Sequence, residues 1–166
     1  MIVFDTSTLI LLARTELLDQ FLEHIGQDLL IPKEVEREAC KVKKSLDALM
    51  IQKAIMEERI KVLGVKDRKT CQKIGKDLSL GKGEAEAIVL ALSKQGLLGI
   101  DDKKGINACK LLRIPFTTAM AILVRMREKR IITKREALAS LSRVEKYGRY
   151  STEIVGDARS RLETGK

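Results

Sequence analysis

Ile2-Val3-Phe4-Asp5-Thr6-Ser7-Thr8-Leu9-Ile10-Leu11-Leu12-Ala13 is a strand that hands over to a helix at a single acidic residue. The apolar triplet reads as a buried strand, and Thr6-Ser7-Thr8 offers a hydroxyl to cap the helix that follows. Asp5 therefore stands at the carboxyl end of the first strand. Downstream, Leu29-Leu30-Ile31-Pro32 is a second short strand stopped by proline, and a helix runs from Lys33 through Glu38 and Ala39. Residues 60–63 read as another strand or edge segment. Leu97-Leu98-Gly99-Ile100 is a buried strand ending in Asp101-Asp102, and Ile114-Pro115-Phe116-Thr117 is a last short one. Helical spacing fills the intervals, at 17–22, 45–57, 84–92 and 103–112. Three further helices are expected at 118–129, 134–146 and 152–163. Such alternation implies a three-layer α/β/α domain with a central parallel sheet and extra C-terminal helices.

Composition narrows the function. Hydrophobic residues make up 45% and charged residues 33%, which fits a folded chain with its own core rather than a disordered tail. Aromatics are only 3%, with no Trp, which argues against the base-stacking platforms of RNA-recognition or OB folds. No apolar run approaches the roughly 18 residues needed to cross a bilayer, and no leader-like segment opens the chain, so a cytoplasmic protein with no membrane partner is expected. Cys40, Cys71 and Cys109 lack metal-binding spacing, and the lone His24 cannot complete a zinc site with them, so buried reduced thiols are expected. Residues 1–102 carry 16 Lys and Arg against 17 Asp and Glu, whereas residues 103–166 carry 16 against 6. An acidic half joined to a strongly basic one suits a protein that binds a polyanion.

The acids fall at one place. In an open parallel sheet, ligands bind outside the carboxyl ends of the strands. Asp5 ends the first strand, Asp101 and Asp102 end another, and Glu38 and Glu84 lie on helices within reach of that edge. Each has an ordinary structural role open to it: a helix cap for Asp5, a solvated face for Glu38, a first-turn dipole partner for Glu84, a turn and cap for Asp101-Asp102. Taken together, crowded carboxylates call for a cation, and oxygen ligands select Mg²⁺ or Mn²⁺, which can activate water and polarise a phosphodiester. No Ser/His pair competes as nucleophile. Glu84 and Glu86 lie about 200° apart around their helix, so only one can face the site.

The ordered set Val3–Ile10, Ile31–Glu38, Gly83–Ile88, Ile100–Lys104 and Ile114–Thr118 resembles the PIN domain family, and within it the small prokaryotic branch related to VapC-type toxins. The resemblance covers roughly residues 1–130. It implies a nuclease domain over 1–130, with residues 131–166 as a helical extension packed on the same domain. By the family pattern Asp5 is the first acid, Glu38 the second, Glu84 the third and Asp101 or Asp102 the fourth, with Asp5, Glu84, Asp101 and Asp102 as the expected metal ligands. Ser7 matches a hydroxyl near the first acid, and Thr117 or Thr118 the hydroxyl at the last strand. The third acid is usually Asp, so Glu84 departs from the pattern by one methylene. The resemblance further implies single-stranded RNA as substrate, a small antitoxin-like partner and a homodimer. The main alternative is a PIN-like RNA- or partner-binding module with a degenerate site. A receiver domain would want its acidic pair at the first strand, and a haloacid-dehalogenase phosphatase would want an acid where Ser7 stands. Lys103 and Lys104, with Lys110, Arg113, Arg125, Arg127, Lys129 and Arg130, are expected to bind the phosphates flanking the cut.

Overall fold

The computed structural model describes residues 1–41 and 45–165. Its sheet has five parallel strands in the order β3-β2-β1-β4-β5. These are β1 (Ile2–Phe4), β2 (Leu29–Pro32), β3 (Lys61–Leu63), β4 (Leu97–Gly99) and β5 (Phe116–Thr117). The chain steps outward from β1 to β3, then returns past β1 to lay down β4 and β5. Parallel crossovers keep one hand, so connections running in opposite directions lie on opposite faces.

That rule sorts the helices. On one face lie α1 (Thr6–Arg14), α2 (Leu18–His24) and α4 (Leu46–Met56), packed on Ile2, Phe4, Leu29 and Ile31. Between β2 and α4, the short α3 (Lys33–Glu36) widens into a π-helical turn at Arg37–Lys41. On the other face, α6 (Lys82–Lys94) and α7 (Lys103–Leu112) pack on Val3, Leu30 and Leu98, with α5 (Arg68–Asp77) contributing Cys71. The alternation Ile2, Phe4 against Val3 is the period-two signature of a strand buried on both sides. All three cysteines are buried, and none of them is in a disulfide among the described residues.

The last three helices, α8 (Ala119–Glu128), α9 (Lys134–Tyr147) and α10 (Thr152–Thr164), return to the α1 face. Leu123, Leu141, Val144 and Leu162 are buried in the same core cluster as Leu9 and Leu12 of α1. Ser140 also donates to the Thr15 carbonyl at 3.1 Å, tying α9 to the end of α1. Residues 131–165 thus share one core with the N-terminal half; Lys166, the final residue of the expected extension, lies outside the described residues. Among the described residues, no helix is long and apolar enough to cross a membrane.

The sheet's centre depends on a missing side chain. Phe4 pairs with Gly99 across β1 and β4, and a Cβ on Gly99 would lie 2.1 Å from the Phe4 ring. The ring fills that space and stacks on Phe21 at 5.7 Å between centroids. Neither ring has room to withdraw in a close-packed core. Overpacking there costs about 1–3 kcal/mol, so Gly99→Ala is expected to lower the melting midpoint by roughly 2–12 °C. A thermal scan with an unchanged midpoint would show that the ring yields.

Candidate active site

The strand order reverses between β2 and β4, with β1 at the switch point, and ligands of open α/β sheets bind outside the carboxyl ends of strands at that place. Asp5 follows β1 there, and its backbone N–H donates to Gly99 O of β4 at 3.0 Å. Its side chain caps α1, accepting from Thr8 N at 2.9 Å, while Ser7 Oγ donates to its other oxygen at 2.6 Å. The cap is thus the carboxylate itself and not one of the hydroxyls expected from Thr6-Ser7-Thr8. Asp5 is 1% exposed. Burial pushes its carboxyl up to about 6 against those hydrogen bonds, and the nearby charge of Asp101 adds to the rise.

Asp101 follows β4 and is half-buried. Ala119 N, at the start of α8, donates to both its oxygens at 3.2 and 3.0 Å, and the Tyr150 hydroxyl donates to Oδ1. Burial again raises its carboxyl above the ordinary range, against the Ala119 amide and the lowering influence of the nearby Thr8 hydroxyl. The Thr8 hydroxyl is fully buried, favours the charged forms of both Asp5 and Asp101, and completes a hydrogen bond with neither. An orphaned hydroxyl between two crowded carboxylates marks a place where a cation or its water fits. Sequence reasoning passed over Thr8 in favour of its neighbour Ser7; its position one turn above a strand-end acid was the available signal.

Asp102 has a different task. It caps α7, accepting from Lys104 N at 2.8 Å and Gly105 N at 3.4 Å. Glu84 accepts from Gly81 N at 2.8 Å, and α6 begins at Lys82 with Gly81 as its cap, two residues ahead of the start expected at Glu84. Burial raises the Glu84 carboxyl, and the charges of Asp102, Asp5 and Glu38 push the same way. Glu86 points elsewhere: it is 6% exposed, pairs with Arg68 at 2.6 Å and accepts from Glu34 N at 3.4 Å. Glu84 is therefore the glutamate at the acidic edge. Glu38 accepts from Thr6 Oγ1 and does not line the cleft. A Cβ on Gly83 would come within 2.6 Å of the Glu38 carboxylate, so glycine is what lets α6 approach this pair.

A cleft of about 1130 Å³ opens over Ser7, Glu84, Asp101 and Asp102. Thr118 lines it and caps α8 through Ala121 N at 3.2 Å. Thr117 instead lines a smaller cavity with Ile2 and Leu97, so of the two threonines only Thr118 reaches the cleft. The cations need a larger correction. Of those expected to flank the cut, Lys103 lines the cleft and Lys104 is exposed one residue on, but Arg125 and Lys129 line the cavity at the amino ends of β1 and β4. The reason is direction: a ten-residue helix carries its end about 15 Å from its start, and α7 and α8 both start at the acidic edge. Lys110 and Arg113 leave that edge in the same way. The cleft takes its other cations from Arg14, Arg149 and Arg161.

A model of the PIN domain family matches residues 1–163. The chain belongs to that family. Neither the curated proteins nor the solved structures contain a match. PIN domains are generally nucleases that hydrolyse nucleic acid and usually use divalent metals. Among the described residues of this PIN domain, no three acids, cysteines or histidines converge closely enough to hold an ion. The expected ligands share one edge, but each is turned toward a protein partner: Asp101 to Ala119 and Tyr150, Asp102 to the α7 cap, Glu84 to Gly81. The donor set, all carboxylate oxygens beside an orphaned hydroxyl, fits a hard divalent cation in its chemistry.

The raised Asp5 carboxyl has a consequence for stability. Its proton is held more tightly in the folded chain than in the unfolded one, about 6 against 3.8. The folded state therefore binds more protons between those values, and Asp5's contribution is present below about pH 4 and lost as pH rises through about 6. A rise of this size corresponds to about 3 kcal/mol. In chelator, Asp5→Asn is expected to gain stability relative to the unmodified chain as pH climbs from about 4 to 7. Urea denaturation showing the same difference at both ends would remove the electrostatic account.

Proposed function

We propose that this PIN domain is a divalent-metal-dependent endoribonuclease of the VapC-like branch, acting on single-stranded RNA as the toxin of a toxin–antitoxin pair. The observation that carries the reading is that the neighbouring strands β1 and β4 end in buried Asp5 and half-buried Asp101, both with raised carboxyls, and that Asp101 opens with Glu84 and Asp102 onto one cleft. A pair so crowded is relieved by a positive charge.

Asp5, Glu84, Asp101 and Asp102 are the residues that would hold Mg²⁺ or Mn²⁺. When bound, the ion supplies Lewis acidity toward the phosphodiester and activates water. Ser7 fixes the Asp5 carboxylate, and Glu38 orders Thr6 while its charge bears on Glu84. Lys103 and Arg149, which make no ion pair among the described residues, lie at the cleft where they can grip phosphates, with Lys104 beside them. Thr118 and Ser7 add hydroxyls to the same wall.

The single-stranded preference has its own support. Tyr147 is 45% exposed at the cleft, with the Arg14 guanidinium 5.6 Å and the Lys146 ammonium 5.3 Å from its ring centroid. A cation-flanked aromatic face suits an unpaired base. A protein partner also has support: Leu46, Leu49 and Met56 on α4 are 74%, 59% and 83% exposed, an apolar surface of the kind a small antitoxin-like protein or a second copy would cover. The rival reading, a binding module with a degenerate site, draws on the lack of three converging ligands among the described residues.

Incubation of the protein with labelled single-stranded RNA separates the two. Cleavage is expected with Mg²⁺ or Mn²⁺, is expected to vanish in chelator, and is expected to fall at least a thousandfold in Asp5→Asn, roughly the 4 kcal/mol that one strong charge-stabilising group supplies. RNA bound in the presence of metal but never cut would favour the binding module. The strand preference is checked by binding: Tyr147→Ala is expected to weaken single-stranded RNA by roughly 5- to 100-fold while leaving duplex affinity unchanged. Equal losses on both substrates would assign Tyr147 to folding alone.

A further inference from the structure

Tyr150 lies in the short link between α9 and α10, 49 residues from Asp101 in the chain, yet its hydroxyl donates to Asp101 Oδ1. The direction of that bond is fixed by a second one. Met120 N, one of the unpaired amides of the first turn of α8, donates to the same phenol oxygen at 3.1 Å. With its oxygen accepting from an amide, the phenol's own hydrogen is left for the carboxylate.

The ring is held to this place. Gly148 ends α9, and a Cβ there would lie 2.9 Å from two Tyr150 ring carbons and 2.7 Å from the Val144 carbonyl. Tyr150 is half-buried and lines the same cleft as Glu84, Asp101 and Asp102. Asp101 thus receives Ala119 N from α8 and the phenol from the α9–α10 link, and Oδ1 takes both. Oδ2, which accepts from Ala119 N alone, keeps the greater accepting capacity.

We propose that Tyr150 is a positioning residue: its hydroxyl fixes the Asp101 carboxylate so that Oδ2 is presented to the cation, making the C-terminal helices part of the reactive centre. This rests on the metal-dependent reading above. Partners that hold a ligand carboxylate in place commonly contribute roughly 10–100-fold to metal affinity or activity.

The test exploits composition, since the chain has two tyrosines and no tryptophan. In Tyr147→Phe, Tyr150 is the sole emitter, and its phenol reports directly on the Asp101 carboxylate. Titrating Mg²⁺ into that variant is expected to change the tyrosine emission in step with binding followed by calorimetry. In Tyr150→Phe, which keeps the ring and its packing, the emission is expected to ignore Mg²⁺. The same variant is expected to bind Mg²⁺ and cleave RNA roughly 10–100-fold less well, with a melting midpoint within a few degrees of the unmodified chain. Mg²⁺ bound with Tyr150 emission unmoved overturns the proposal, as does undiminished Mg²⁺ affinity and cleavage in Tyr150→Phe. No Mg²⁺ bound by the unmodified chain sinks the metal reading itself, and this inference with it. Should Tyr150→Phe fail to fold, the Tyr147→Phe titration decides alone.

Discussion

The pairing of β1 with β4 is the constraint on which the rest of this structure depends. Its register sets Phe4 against Gly99 and delivers Asp5 and Asp101 to neighbouring strand ends. Adjacent strands lie about 4.8 Å apart, and a slip of one residue would turn every side chain to the opposite face. The glycine, the Phe4 ring and the two acids are therefore one arrangement. A smaller residue at position 4, or a larger one at 99, would loosen or spread the strands that bring the carboxylates together. The fold then compensates only in part. Ser7, Thr8 and Ala119 bond to the acids, yet burial still leaves both carboxyls raised. Cys109 beneath them feels the same environment, its thiol pushed up to about 11 by burial and by the charge of Asp5, so it is no nucleophile at ordinary pH.

Much of this was legible because it is local. Short apolar runs ending in an acid name both the strand and the position of its carboxylate, and Ile2–Phe4 and Leu97–Gly99 form as central neighbours in the sheet. Helical periodicity separates Glu84 from Glu86, and the structure turns Glu86 to Arg68. The choice between Asp101 and Asp102 was open in the sequence, because either residue of an acidic pair before a helix can cap it. The backbone resolves their roles by giving Asp102 to the cap and Asp101 to α8.

What sequence could not yield is whatever depends on helix direction or on a distant contact. Lys110, Arg113, Arg125 and Lys129 are close to the acids in number but are carried toward the far edge by α7 and α8. Arg14, Arg149 and Arg161 reach the cleft from the end of α1, from the α9–α10 link and from α10. Tyr150 left no periodic or motif signal at all. Its only mark was rarity, being one of two tyrosines in a chain with 3% aromatics, both of which line the cleft.

The division of labour between the halves follows from these placements. The N-terminal part, residues 1–102, supplies all five acids, but it cannot by itself hold Asp101, whose partners Ala119 and Tyr150 come from beyond β5. The C-terminal half carries a net charge of about +10 by its excess of 16 cations over 6 anions, yet only some of that charge borders the cleft. A polyanion approaching this molecule meets a field set by the whole basic half, whose range at physiological salt is about 8 Å, before it meets any one residue. Long-range attraction and local grip are thus assigned to different cations. Arg125 and Lys129 at the far edge can add to the first and not to the second, whereas Arg149, one residue from Tyr150, is placed to contribute to both while its neighbour holds the carboxylate at which the phosphate would arrive.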